Sequence, residues 1–130
     1  MNTQQLVLYG IVALVLLFYV RRALQARSLK QYSPSSLAER LKLAPSPLLL
    51  DVRSDSERRT GSIKGTVHIP VQQLRRREDE LQRFRGREII CICQTGRRSV
   101  AAALALRKLG HKVGNLKGGM AEWNFSQLGR

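Results

Sequence analysis

Cys93 closes an apolar run, Ile89 to Ile92, and five residues separate it from an alanine- and leucine-rich stretch beginning at Ser99. A buried strand, a tight loop and then a long helix turn the backbone N–H groups of Gln94, Thr95, Gly96, Arg97, Arg98 and Ser99 toward one point. The same geometry adds the positive end of a helix dipole. Gly96 permits a backbone conformation that a residue with a Cβ resists. A thiol at that focus should titrate below its ordinary value of about 8.5, because the thiolate is the form being stabilised. Arg97 and Arg98 push the same way and are the expected substrate contacts, although Arg98 could instead pair with an acid. A thiolate in an anion cradle is a nucleophile with a ready place for an anionic substrate or leaving group. The plainer alternative is a buried cysteine at a strand end, and the loop argues against it.

Few other residues compete for a chemical role. Cys91, two positions earlier, would share a sheet face with Cys93 if the strand continued, and reads as a buried strand cysteine rather than a resolving or metal-binding partner. Two cysteines cannot supply a disulfide framework or four zinc ligands, so no metal is expected. His68 falls in an expected strand and His111 follows an expected helix stop, so neither is taken as a catalytic base.

The elements around Cys93 alternate. Ser33-Pro34 marks a start, and Ser36 with Glu39 has capping-box spacing for a short helix to about Lys42. Leu48 to Val52 is an apolar run bounded by breakers, and reads as a buried strand. Ser54 with Glu57 repeats the capping-box spacing, and Gly61 ends that helix. Thr66 to Ile69 predicts a second strand. Leu74, Leu81 and Phe84 fall on one helical face. Ile89 to Ile92 is a third strand, Ser99 to Leu109 a helix, and Lys112 to Leu116 a last strand before Gly118-Gly119 and a short turn holding Trp123. Strands alternating with helices place the chain in the α/β class, with a parallel sheet of four to five strands flanked by helices.

The chain has 130 residues, a formal net charge of +14 and 43% hydrophobic residues. Between Leu6 and Val20, 14 of 15 residues are apolar, and no charge occurs from Asn2 to Val20. Nineteen helical residues span roughly 28 Å, close to a bilayer's hydrocarbon thickness. A cleaved signal peptide would need basic residues ahead of the run, and MNTQQ has none. The charges come afterwards, at Arg21, Arg22, Arg27 and Lys30, which orients the carboxyl side toward the cytoplasm. The expected organisation is one transmembrane helix, 1–22, a basic juxtamembrane linker, 23–33, and a globular domain, 34–127. The expected location is the inner (plasma) membrane, with that domain in the cytoplasm.

With these residues in view, the sequence resembles the single-domain rhodaneses. CQTGRRS matches their C-x-x-G-x-R-S loop. LLLDVRSDSERRTGSIKGTVHIP looks like the family's D-V-R…E…G-H-I-x-G-A-x-x-I-P stretch, with Asp51, Arg53, Glu57, Gly61, Ile63, Gly65, Ile69 and Pro70 in register. LGHKVGNLKGGMAEW resembles its closing segment, so the likeness runs from Ser33 to Trp123. Ser62 where His is common, Thr66 for Ala and His68 for Asn are departures outside the thiol loop.

The resemblance implies a rhodanese-type thiosulfate sulfurtransferase working through a Cys93 persulfide. A small anionic sulfur donor would load the thiol, and cyanide, a thiol or a protein would accept the sulfur. It implies that Asp51 and Arg53 organise loops beneath the site, and it calls for no cofactor. Cell-cycle dual-specificity phosphatases resemble rhodaneses in fold, but their loop is one residue longer, with Arg six positions after Cys. Here that position is Ser99. A persulfide carrier or protein-binding module at the membrane is the other alternative.

Residues 31–130 hold 19 basic and 9 acidic side chains, 10 more positive than negative. Membrane lipid and a small anionic donor both suit that excess. Nucleic acid is not expected, because no basic stripe is interleaved with aromatics. Arg75 and Arg76 have Asp79 and Glu80 four residues on and can pair with them on a solvated helix face.

Overall fold

The computed structural model describes residues 1–128. It is built from five helices, α1 Thr3–Arg27, α2 Pro34–Leu41, α3 Asp55–Arg59, α4 Arg98–Lys108 and α5 Gly119–Gln127. Five strands alternate with them: β1 Lys30–Tyr32, β2 Leu48–Asp51, β3 Val67–His68, β4 Glu88–Ile92 and β5 Lys112–Leu116. All neighbouring strands pair in parallel, in the order β1-β5-β4-β2-β3.

Alternation along the central strands builds two cores. Leu48, Leu50, Ile89 and Cys91 face α4, packing with Ala102, Ala103 and Leu106. Leu49, Ile90 and Ile92 face the other way, onto Leu37 of α2 and Met120 of α5. Strands covered on both faces favour apolar residues at successive positions, which is why β2 and β4 read as apolar runs, Leu48–Leu50 and Ile89–Ile92, with an acid only at one end of each. From β2 the chain moves outward to β3 on one side, and from β4 it moves outward to β5 on the other. The carboxyl ends of β2 and β4 therefore flank the point where the winding reverses, where open parallel sheets place their sites.

Several expectations change. The linker read over 23–33 contains β1, whose Tyr32 hydroxyl donates to Glu88 at 2.8 Å while its backbone pairs with β5. Ser33 caps α2, as Ser33-Pro34 suggests, but the capping box pairs Ser33 with Ser36 at the third helical position rather than Ser36 with Glu39. The face bearing Leu74, Leu81 and Phe84 is not one helix but two 3-10 segments, Val71–Gln73 and Glu78–Phe84. Neither has a side-chain cap. Trp123 sits in a helix rather than a turn, because Gly118-Gly119 starts an element instead of ending one.

Helix α1 is continuous for 25 residues and buries none of them. It is long and apolar enough to cross a membrane.

Candidate active site

Strand β4 ends at Ile92, and Cys93 follows it inside the core cluster beneath α4. Its Sγ accepts the Gly96 N–H at 3.0 Å and lies 3.2 Å from Ser99 Oγ. Gly96 adopts φ +92°, and a Cβ there would come within 3.1 Å of the Gly118 nitrogen. Helix α4 begins without a side-chain cap, leaving its first amides free to face the sulfur. Burial pushes the Cys93 thiol up, but the Ser99 hydroxyl and the Ser99, Gly96 and Thr95 amides together hold it below the ordinary thiol range. Cys91 has no such donors, and burial, with the neighbouring Cys93 charge, pushes it up to about 12. One cysteine is prepared to be a thiolate and the other is not.

The loop residues divide by environment. Thr95 is exposed, and Gln94 is half-buried with its Oε1 accepting from Arg53 Nη1 at 3.3 Å. Arg97 is exposed, and its side chain makes no hydrogen bond or ion pair among the described residues. Arg98 takes the other course that its sequence left open. Its two terminal nitrogens donate to the two Glu57 carboxylate oxygens, each at 2.7 Å. Of the two arginines expected at the substrate, only Arg97 is left unpartnered.

Behind the loop lies a buried pair that holds four segments together. Arg53 and Asp51 are each 1% exposed and meet at 2.9 Å. The rest of the Arg53 fork reaches the carbonyls of Gly61, at 2.6 Å, and Glu57, at 3.3 Å, besides Gln94. His68 Nε2 bonds to the Arg53 carbonyl at 2.7 Å, and His111 Nε2 to Glu78 at 2.8 Å, so both imidazoles are engaged away from the thiol. No group of three or more metal-ligating side chains occurs among the described residues.

The Gly118-Gly119 pair, which the sequence places before a short turn, supports the loop from behind. The Met120 and Ala121 amides donate to the carbonyls of Cys93, at 2.8 Å, and Gln94, at 3.0 Å. Gly119 has φ +60°, and a Cβ there would fall 2.3 Å from the Cys93 carbonyl oxygen. Gly119→Ala is expected to cost about 2–4 kcal/mol, combining left-handed strain with overpacking. Urea denaturation would measure it.

The Glu57–Arg98 pair ties α3 to the start of α4. Arg98 holds the Glu57 carboxyl down at about 2, against 4.5 ordinarily. A lowered carboxyl stabilises the fold above its unfolded value, and that contribution is lost as pH falls from about 4.5 through about 2. Glu57→Gln should therefore lower stability at neutral pH by about 1 kcal/mol or less, given partial exposure. The difference from wild type should shrink across that acid window, as read by denaturation midpoints at successive pH values.

Comparison with known proteins agrees with this geometry. Residues 33–126 match the rhodanese-like domain. A provisionally named sulfur carrier protein of Bacillus subtilis, YrkF, is 36% identical over 99 residues, 75% of this chain, and the chain spans only about half (52%) of that protein's length. A sulfurtransferase of Allochromatium vinosum is 32% identical over 68% of this chain and 81% of its own. The crystal structure of a rhodanese-related protein from Thermoplasma volcanium superposes with a TM-score of 0.68 at 31% identity, covering 75% of this chain and 92% of the other.

Proposed function

Since the chain belongs to the rhodanese-like family of sulfurtransferases, we propose that it moves a sulfane sulfur through a persulfide on Cys93. The Cys93 thiolate attacks the outer sulfur of a donor such as thiosulfate. The donor's S–S bond breaks and sulfite leaves with the bonding electron pair. An acceptor, whether cyanide, a thiol or a protein, then takes the terminal sulfur and returns Cys93 to the thiolate. No base is needed at either step if the nucleophile is already ionised. The carrying observation is the Sγ position, 3.0 Å from the Gly96 amide and 3.2 Å from the Ser99 hydroxyl. The amides of Thr95, Gly96 and Ser99 hold the charge on sulfur, and exposed Arg97 meets the donor's anionic end. Arg98 supports the loop through Glu57, and Asp51, Arg53 and Gln94 brace it from beneath. Incubation of the full chain with thiosulfate should add one sulfur atom to Cys93 by intact mass, and cyanide should remove it as thiocyanate.

A persulfide carrier is a second reading, favoured by the name of the YrkF relative. Repeated thiocyanate formation per chain supports the transferase, and one sulfur released per chain supports the carrier.

The proposed setting is an inner membrane crossed by α1, with 34–127, together with strand β1, as the catalytic domain in the cytoplasm. Support comes from the uncharged stretch from Asn2 to Val20 in an apolar helix and the four basic residues that follow it. In sealed inside-out vesicles, added protease should remove the catalytic domain. In right-side-out vesicles it should not.

A further inference from the structure

Away from Cys93, a groove of about 840 Å³ lies between α1 and the outer side of α4. Leu14, Leu17, Phe18, Arg21, Arg22 and Gln25 approach it from α1 at spacings that form one helical stripe. The α1 end of the groove nearer the amino terminus is apolar. Leu104 and the exposed Leu109 continue that apolar lining on the domain side. Arg21, Arg22, Arg75 and Lys108 supply positive charge where the helix leaves its apolar part. The one carboxylate among the lining residues, Glu78, is already bonded to His111 and Gln82. The expected pairing of Arg75 with Asp79 is absent, and Arg75 makes no ion pair among the described residues. Glu80 pairs with Arg77 instead, at 2.7 Å. At the far end of α1, Arg107 of α4 donates to Ser28 Oγ at 3.0 Å.

We propose that this groove holds an anionic phospholipid, its phosphate among Arg21, Arg22, Arg75 and Lys108 and an acyl chain along Leu14, Leu17 and Phe18. The occupant follows from continuity and charge. The apolar wall is part of the helix assigned to the bilayer, and four cations face a single engaged carboxylate at the level of the headgroups. The inference rests on α1 crossing the membrane, and the experiment separates the two. The full chain is reconstituted into phosphatidylcholine vesicles with and without phosphatidylglycerol, then extracted with alkali. It is next transferred to detergent with equal amounts of both lipids and examined by native mass spectrometry. Retention after alkali, with phosphatidylglycerol bound in preference, is the expected result. Arg75→Gln with Lys108→Gln, both exposed and remote from the thiol, should cut that preference by about fivefold per residue. Equal retention of the two lipids, or an unchanged preference in the double variant, overturns the lipid site alone. Release of the protein by alkali overturns the membrane placement, and the lipid site with it.

Discussion

Cys93→Ser should abolish sulfur loading from thiosulfate while leaving the fold intact. The serine hydroxyl can still accept the Gly96 amide and bond to Ser99, the two partners that Sγ meets at 3.0 and 3.2 Å. What it cannot do is ionise near neutral pH or form an S–S bond, so the loss is complete rather than graded. Cys91→Ala is the matched comparison. Cys91 is fully buried, lacks hydrogen-bond donors and is pushed up to about 12, so it remains a neutral thiol among apolar neighbours. Its truncation removes one buried sulfur and should cost about 1 kcal/mol. Loading should persist. Intact mass after thiosulfate treatment, with and without cyanide, reads both variants.

The second large effect falls on stability. Asp51→Asn should destabilise the domain by about 3–5 kcal/mol, because it leaves the Arg53 guanidinium buried without its counter-charge. Among the described residues Arg53 makes no other ion pair, and Arg58, 3.8 Å from Asp51, is a second cation that would lose the same counter-charge. Arg53→Met removes the other partner and strands the Gly61 and Glu57 carbonyls together with the Gln94 side chain. Each single change should lower the urea midpoint strongly. The double variant Asp51→Asn, Arg53→Met should be less destabilised than the two singles added together, since neither charge is then left alone. A sum without coupling would mean that the pair does not act as a unit.

What could be read in advance, and what could not, follows the range of the interactions. The loop from Cys93 to Ser99 is a local feature, a strand end, a glycine and a helix start, and its thiol environment is legible in seven residues. So are β2 and β4, whose burial on both faces leaves runs of apolar side chains. Strand β1 was hidden because KQY is short and mostly exposed, and its place in the sheet depends on pairing with β5 and on Glu88. The stretch from Val71 to Phe84 has helical spacing, yet it follows Pro70, lacks side-chain caps and settles into 3-10 turns. The Arg98–Glu57 pair joins residues 41 positions apart. A basic residue in an anion loop points equally to substrate or to an acid until the fold supplies that acid. Gly118 and Gly119 carried a visible signal, two adjacent glycines, but their closeness to the Cys93 and Gln94 carbonyls exists only once α5 has docked.

Inward-facing amides and the Ser99 hydroxyl outweigh burial and hold the Cys93 thiol below its ordinary range. The rate of Cys93 alkylation by iodoacetamide, followed against pH by peptide mass spectrometry, reports that ionisation directly. A rate that rises with a midpoint clearly below about 8.5 is the expected result. A midpoint at or above that of a free thiol would mean that burial prevails over the loop and that Cys93 is not an activated nucleophile.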